Sequence, residues 1–166
     1  MNAILNRKSI RKFKDIKISD EIVEELLRAG MAAPSAGNEQ PWEFIVLRDK
    51  EIMKKITEVH PYSKMLLNAD VAIVVCGDEA KEVYKGYWVQ DCSAATENIL
   101  IEVEDKGLGA VWLGVYPMED RVEAIKHLLN LPASVIPLSI IPVGYPDEQR
   151  RPVDRFNKTR IHYDRW

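Results

Sequence analysis

Apolar positions recur along the chain at two spacings. Between residues 19 and 31, Ile22, Leu26 and Ala29, with Val23, Leu27 and Met31, return every three or four positions, the period of one buried helix face. Ser19 precedes them as an N-cap, and Asp20 and Glu21 suit the positive end of the helix dipole. A longer pattern fills 80–106, where Trp88, Cys92, Ala95, Ile99 and Val103 share a face and Gly107 takes the C-terminal cap position. Shorter helices are predicted over 2–8, over about 50–58 behind Asp49, and over about 118–129, opened by Pro117 and ended by Asn130. Residues 60–70 mix a turn with a short helix. Four other runs read as strands: "EFIVLRD" (43–49), "VAIVVCGD" (71–78), "AVWLGVY" (110–116) and "SVIPLSIIPVGYP" (134–146). The second is apolar throughout and is predicted to be central. Pro137 and Pro142 disfavour an ordinary central position for parts of the fourth. The pattern is therefore α+β, with about four strands and one long helix. The last twenty residues are polar, basic and aromatic without a period, so they wrap something or stay disordered. A long helix buried on more than one side suits a dimer.

Composition narrows this picture. The 166 residues, 46% of them hydrophobic, fit one compact domain over 1–166 with a real core. Cys76 and Cys92 lie inside apolar or helical patterns and read as buried, reduced thiols. There is no CxxC, no HExxH and no cluster of the three histidines, so no metal site is expected. The N-terminus lacks a signal-peptide core, and "VAIVVC" and "VIPLSIIPV" are too short to span a bilayer. A soluble, cytoplasmic protein with no membrane partner is expected. The net charge of −3 divides into +5 over 1–14, −12 over 15–149 and +4 over 150–166. The acidic body disfavours nucleic acid. The basic ends are either solvated tails or two halves of a phosphate site.

No nucleophile elbow, Cys/His pair or phosphate loop is present, and "GLGAVWLG" is not a dinucleotide fingerprint. An enzyme built this way takes its hard chemistry from a cofactor. Three segments could hold one. In "NRKSIRKF", Arg7, Ser9 and Arg11 alternate, so an extended backbone points them one way. Arginine suits phosphate and electron-rich ring edges. "RRPVDR" (150–155) is a second basic group. In "WLGVY", Gly114 lets a backbone approach a planar ring. Each also has a plain structural reading: an exposed basic segment, a surface run, a tightly packed strand.

The order of "RKSIRKF", "APSAGNEQPW", "NADVAIVV", "GLGAVWLG" and "IPVGYP" closely resembles that of the nitroreductase family of FMN-dependent oxidoreductases, over nearly the whole chain. It is most similar to the short members without extra helices above the active site. The resemblance implies a nitroreductase-like fold, with a mainly antiparallel or mixed sheet flanked by helices and a C-terminal arm reaching the partner subunit. It implies a homodimer with FMN at the interface and NAD(P)H as donor. A ping-pong cycle would pass hydride to a nitroaromatic, quinone or similar small-molecule acceptor. The alternatives are another role for the same flavoprotein fold (reductive dehalogenation or flavin fragmentation) or a non-catalytic FMN-binding redox module. By this likeness Arg7, Lys8, Ser9 and Arg11 form the N-terminal flavin-binding segment. Arg7 and Ser9 would hold the phosphate and ribityl chain, and Arg11 the pyrimidine edge, where positive charge favours the reduced ring. Pro34, Ser35, Ala36, Gly37 and Asn38, followed by Gln40, correspond to a loop supplied by the other subunit. The backbone of Leu113 and Gly114 would face the reactive ring nitrogen, with no dedicated catalytic side chain. The family's Lys-x-Arg in the arm falls here on Glu148-Gln149-Arg150, so Arg151 or Arg155 replaces the lysine. Tyr62 or Ser63 takes the place of an asparagine near the pyrimidine ring.

Overall fold

The computed structural model describes residues 2–166; Met1, the first residue of the expected domain, lies outside them. A short helix α1 (Ala3–Asn6) leads into an extended segment and then α2 (Asp20–Met31). The Ser19 side chain caps α2 by accepting the Ile22 N–H at 3.4 Å. A loop with a 3₁₀ turn at Ala36–Asn38 precedes β1 (Trp42–Leu47). Asp49 starts α3 (Lys50–Val59), its Oδ1 accepting from Glu51 N–H at 2.8 Å and Ile52 N–H at 3.2 Å. Next come β2 (Val71–Asp78), α4 (Trp88–Asp105), β3 (Gly109–Ala110), β4 (Leu113–Gly114), α5 (Glu119–Leu129) and β5 (Val135–Gly144).

Five strands form one sheet in the order β1-β2-β5-β3, with β4 also on β5, and every pairing is antiparallel. The expected third strand is thus two pieces. Both keep one register on β5, Ala110 opposite Val143 and Leu113 opposite Ile140. In that register Pro142, which has no N–H to donate, stands opposite the interruption at Val111. The fourth predicted strand is central in spite of its prolines. The pairing of β2 with β5 shifts between Val75 and Cys76, next to Pro137, so a bulge accommodates that ring.

The alternation of β2 divides the core. Val71, Ile73 and Val75 face α2 and α4, with Leu26, Ala95 and Ile99. Ala72, Val74 and Cys76 face α3 and α5, with Met53, Ile56 and Ile125. Two helical layers therefore cover both faces of the sheet, which is why β2 is apolar throughout. The helix expected over 80–106 begins only at Trp88. Gly86 adopts φ +88°, and Glu82 Oε1 accepts the N–H groups of Gly86 at 2.8 Å and Trp88 at 3.1 Å. The charged 80–87 stretch is thereby a capping turn. Residues 150–166 are exposed and irregular apart from a 3₁₀ turn at Lys158–Arg160.

Candidate active site

The extended N-terminal segment is laid against the sheet edge. Ile10 donates its N–H to the Ala110 carbonyl at 2.8 Å, and Ser9 pairs with Ala110 in a parallel bridge. Ile10 is buried. A Cβ on Gly109 would lie 2.7 Å from Ile10 Cγ2, so glycine there permits the close contact. Ser9 and Arg11 flank this buried residue.

Arg11 then lines a hollow of about 510 Å³ together with His60, Tyr62, Trp112, Leu113, Gly114 and Arg121. Its floor is β4. The Gly114 carbonyl accepts from His60 Nε2 at 2.9 Å and from Arg121 Nη1 at 3.1 Å. His60 Nδ1 accepts the Tyr62 N–H at 3.3 Å, which assigns the ring proton to Nε2. The Arg121 guanidinium lies 5.5 Å from the centre of the Tyr62 ring, within cation–π range. A Cβ at Gly114 would meet nothing within 4 Å. The backbone is thus bare toward the hollow, a flat surface on which a ring can lie. Tyr62, not Ser63, faces this space; Ser63 is buried and its Oγ donates to the His60 carbonyl at 2.7 Å.

A second hollow of about 460 Å³ is lined by Lys8, Ile10, Glu104, Glu148, Arg150 and Arg151, among others. Lys8 Nζ pairs with Glu104 at 2.7 Å and Arg150 Nε with Glu148 at 2.8 Å. Glu148 Oε1 accepts the Arg11 N–H at 2.5 Å and the Lys12 N–H at 3.2 Å. The Arg11 N–H, with help from Arg150 and the Lys12 N–H, holds the Glu148 carboxyl below its ordinary value. Glu148 therefore joins the N-terminal segment to the start of the arm. Arg7 instead bonds Glu97 of α4 at 3.1 Å. Arg155 lies in a separate hollow with Ile4, Leu5 and Phe156.

The loop of Pro34, Ser35, Ala36, Gly37, Asn38 and Gln40 sits elsewhere, beside the start of α4. Ala36 donates its N–H to Asp91 Oδ1 at 3.0 Å, and Gln40 donates its N–H to Ser35 Oγ at 3.0 Å. Gly37, Asn38 and Gln40 all have positive φ. Asp91 and Glu104 are thirteen residues apart on α4, about 20 Å along the axis. One chain therefore gathers Lys8, Ser9, Arg11, Leu113, Gly114, Arg150 and Arg151 around the edge of the sheet and leaves the loop at the other end of its long helix.

The nitroreductase family profile matches residues 4–60 and 58–145. The chain belongs to the nitroreductase family. A Methanothermobacter thermautotrophicus protein provisionally named NADH dehydrogenase/NAD(P)H nitroreductase is 51% identical over 166 residues, spanning 100% of this chain and 87% of that one. A Clostridium acetobutylicum structure provisionally named NADH oxidase superposes with a TM-score of 0.96 at 47% identity, covering 99% of each chain. An FMN-dependent nitroreductase from Clostridium difficile gives 0.92 at 28% identity, again over 99% of each. In this nitroreductase-family chain, sequence reading passed over His60 and Arg121. They lie far from the basic motif in sequence, and their shared hold on the Gly114 carbonyl brings them to it.

Proposed function

We propose that the chain forms a homodimeric, FMN-dependent NAD(P)H oxidoreductase with one flavin-binding domain over 1–166. In this reading it moves hydride to an electron-poor acceptor, nitroaromatic or quinone-like, with donor and acceptor using one open face in turn, a ping-pong cycle. The observation that carries the reading is the Gly114 floor. It is a backbone surface that no Cβ obstructs, with the cation of Arg11 at its border, in a chain of a family with an FMN-dependent member.

The residues present suit the cofactor. When bound, the flavin supplies the two-electron chemistry. Leu113 and Gly114 present backbone to the ring, while His60 and Arg121 fix the Gly114 carbonyl. Arg11 supplies positive charge at the ring edge. In the neighbouring hollow Arg151 stands beside Lys8 and Arg150, which a phosphate would draw from Glu104 and Glu148. Arg7 would have to leave Glu97 to join them. Pro34, Ser35, Ala36, Gly37, Asn38 and Gln40 would come from a second copy, because about 20 Å separates them from that hollow in one chain. Exposed Ile4, Leu5, Phe156, Tyr163 and Trp166 favour burial in such a dimer.

The test is optical. The purified protein, or apoprotein given FMN, is expected to show a flavin spectrum that NADH or NADPH bleaches without oxygen and an acceptor restores. A colourless protein that takes up no FMN overturns the proposal. A bound flavin that neither nucleotide reduces overturns the NAD(P)H part of it.

A further inference from the structure

The loop at the start of α4 is held by an unusual contact. Asp91, in the first turn of that helix, is only 5% exposed. Its Oδ1 receives the Ala36 N–H, but its Oδ2 is buried with no donor. Glu39 is in the mirror situation. Its Oε2 accepts the N–H groups of Val83 at 2.7 Å and Tyr84 at 2.9 Å, and its Oε1 is buried with no donor. Both carboxyls close on one turn: Asp91 holds the Ala36 N–H, and Glu39 donates its own N–H to the Ala36 carbonyl at 2.9 Å. Each carboxyl shifts the other's proton affinity as a hydrogen-bond partner does.

Ionised carboxylates only accept, so two of them in contact leave both oxygens unmet and repel. A single proton between them makes one a donor and the other an acceptor, as in other carboxyl pairs. Asp91 is the better holder of that proton. Burial raises its affinity for it, and Glu39 and Glu82 add to the effect, while the Ala36 N–H opposes. The positive end of α4 also opposes. On Glu39 the Tyr84 N–H, more than any other group, favours the charged form. The neighbouring Cys92 thiol is pushed up by burial and stays neutral. Among the described residues no Lys or Arg forms an ion pair with Asp91, Glu39 or Glu82.

We propose that Asp91 and Glu39 share one proton in a hydrogen bond that sets the pose of the 34–40 loop. Asp91 is then a positioning residue for the flavin site that this loop completes in a second copy. The functional half of the proposal rests on the flavin reading above; the shared proton does not. The loop needs such a tie, because Asn38 and Gln40 hold positive φ, which is costly for residues other than glycine. The bond fastens three segments together: the loop through Ala36 and Glu39, the 82–87 turn through Val83 and Tyr84, and the first turn of α4. Because Asp91 binds its proton more tightly folded than unfolded, this contribution is present at acid pH. It is lost as pH rises from the ordinary aspartate value of 3.8 through the raised one.

The experiment follows both halves. The carboxyl of Asp91 is titrated by carbon NMR in the wild-type protein, and the thermal midpoint of the apoprotein is recorded against pH for wild type, Asp91→Asn, Glu39→Gln and the double variant. Either amide supplies a permanent donor to the remaining carboxylate, so each single variant is expected to flatten the fall that wild type shows as pH rises. The double variant sets two amide N–H groups face to face and is expected to be less stable than the two singles predict. FMN affinity of the wild type should weaken about tenfold across the Asp91 titration, the loss of one buried hydrogen bond, and that of Asp91→Asn should stay level. Asp91 titrating at or below 3.8, or a wild-type slope retained in Asp91→Asn, overturns the shared proton. A level FMN affinity beside a confirmed pair overturns the positioning role. A protein with no affinity for FMN overturns the flavin reading and with it the positioning role, and the apoprotein data still decide the pair.

Discussion

Gly114 concentrates the site's demands in one residue. Its carbonyl is held from two sides by His60 and Arg121, and its Cα faces empty space. Gly114→Val is therefore expected to lower FMN affinity by about tenfold or more, since branched carbon fills the ring position. The thermal midpoint of the apoprotein should hardly move, because nothing in the protein stands within 4 Å of the new Cβ. A fluorescence titration beside a melting curve measures both, and a destabilised apoprotein would contradict the open floor. His60→Ala should act on the apoprotein, costing about 1–3 kcal/mol as a buried ring and one of the two donors to the Gly114 carbonyl are lost, read from denaturant unfolding. The two residues differ in the same way in sequence. A glycine after Trp-Leu in an apolar strand suggests close approach, whereas a lone histidine before a proline carries no sign of its partner 54 positions away.

Among the elements, caps and strands announced themselves wherever the cause was local. Ser19 and Asp49 start their helices as their side chains require, and Asn130 ends α5 in the left-handed region at φ 51°. The start of α4 was misread because Glu82 reaches over four residues to cap Gly86, a contact that the helical-looking charge pattern conceals. The break between β3 and β4 depends on a proline in another strand. The N-terminal segment is fixed by close contact and by charge, and each can be tested. Gly109→Ala drives a Cβ into Ile10 and should cost about 1–3 kcal/mol while weakening FMN binding, because Ser9 and Arg11 move with Ile10. Chemical denaturation and a binding titration check the pair of effects. Glu148 has a lowered folded pKa, so its contribution is complete above the ordinary value of 4.5 and fades as pH falls through the lowered one. Glu148→Gln should flatten that acid limb of the thermal midpoint while leaving other acid-sensitive contacts in place.

At the scale of the whole molecule, the charge asymmetry seen along the chain resolves into geometry. The basic N-terminal segment and Arg150 at the start of the arm meet through Glu148, while the loop of small residues stays at the far end of α4. The sequence order carried the motifs but not this separation, because a helix of 18 residues spans about 27 Å and only its packing reveals which end each motif touches. If two copies build each site, defects on opposite halves should complement. Arg11→Ala impairs the sheet-edge half. Gly37→Val impairs the loop half, since Gly37 has φ 53° and a Cβ there would lie 2.4 Å from Tyr84 Cε2. Each variant alone should bind FMN poorly. In a two-fold dimer of one chain of each kind, one site takes both defects and the other takes neither. Unfolding and refolding the two variants together should therefore restore tight binding in roughly a quarter of all sites, given random pairing into a symmetric dimer. Separate refolding followed by cold mixing should restore none if the chains exchange slowly. Recovery in neither mixture would mean that each chain completes its own site, and the arm and the exposed apolar surface would need another explanation.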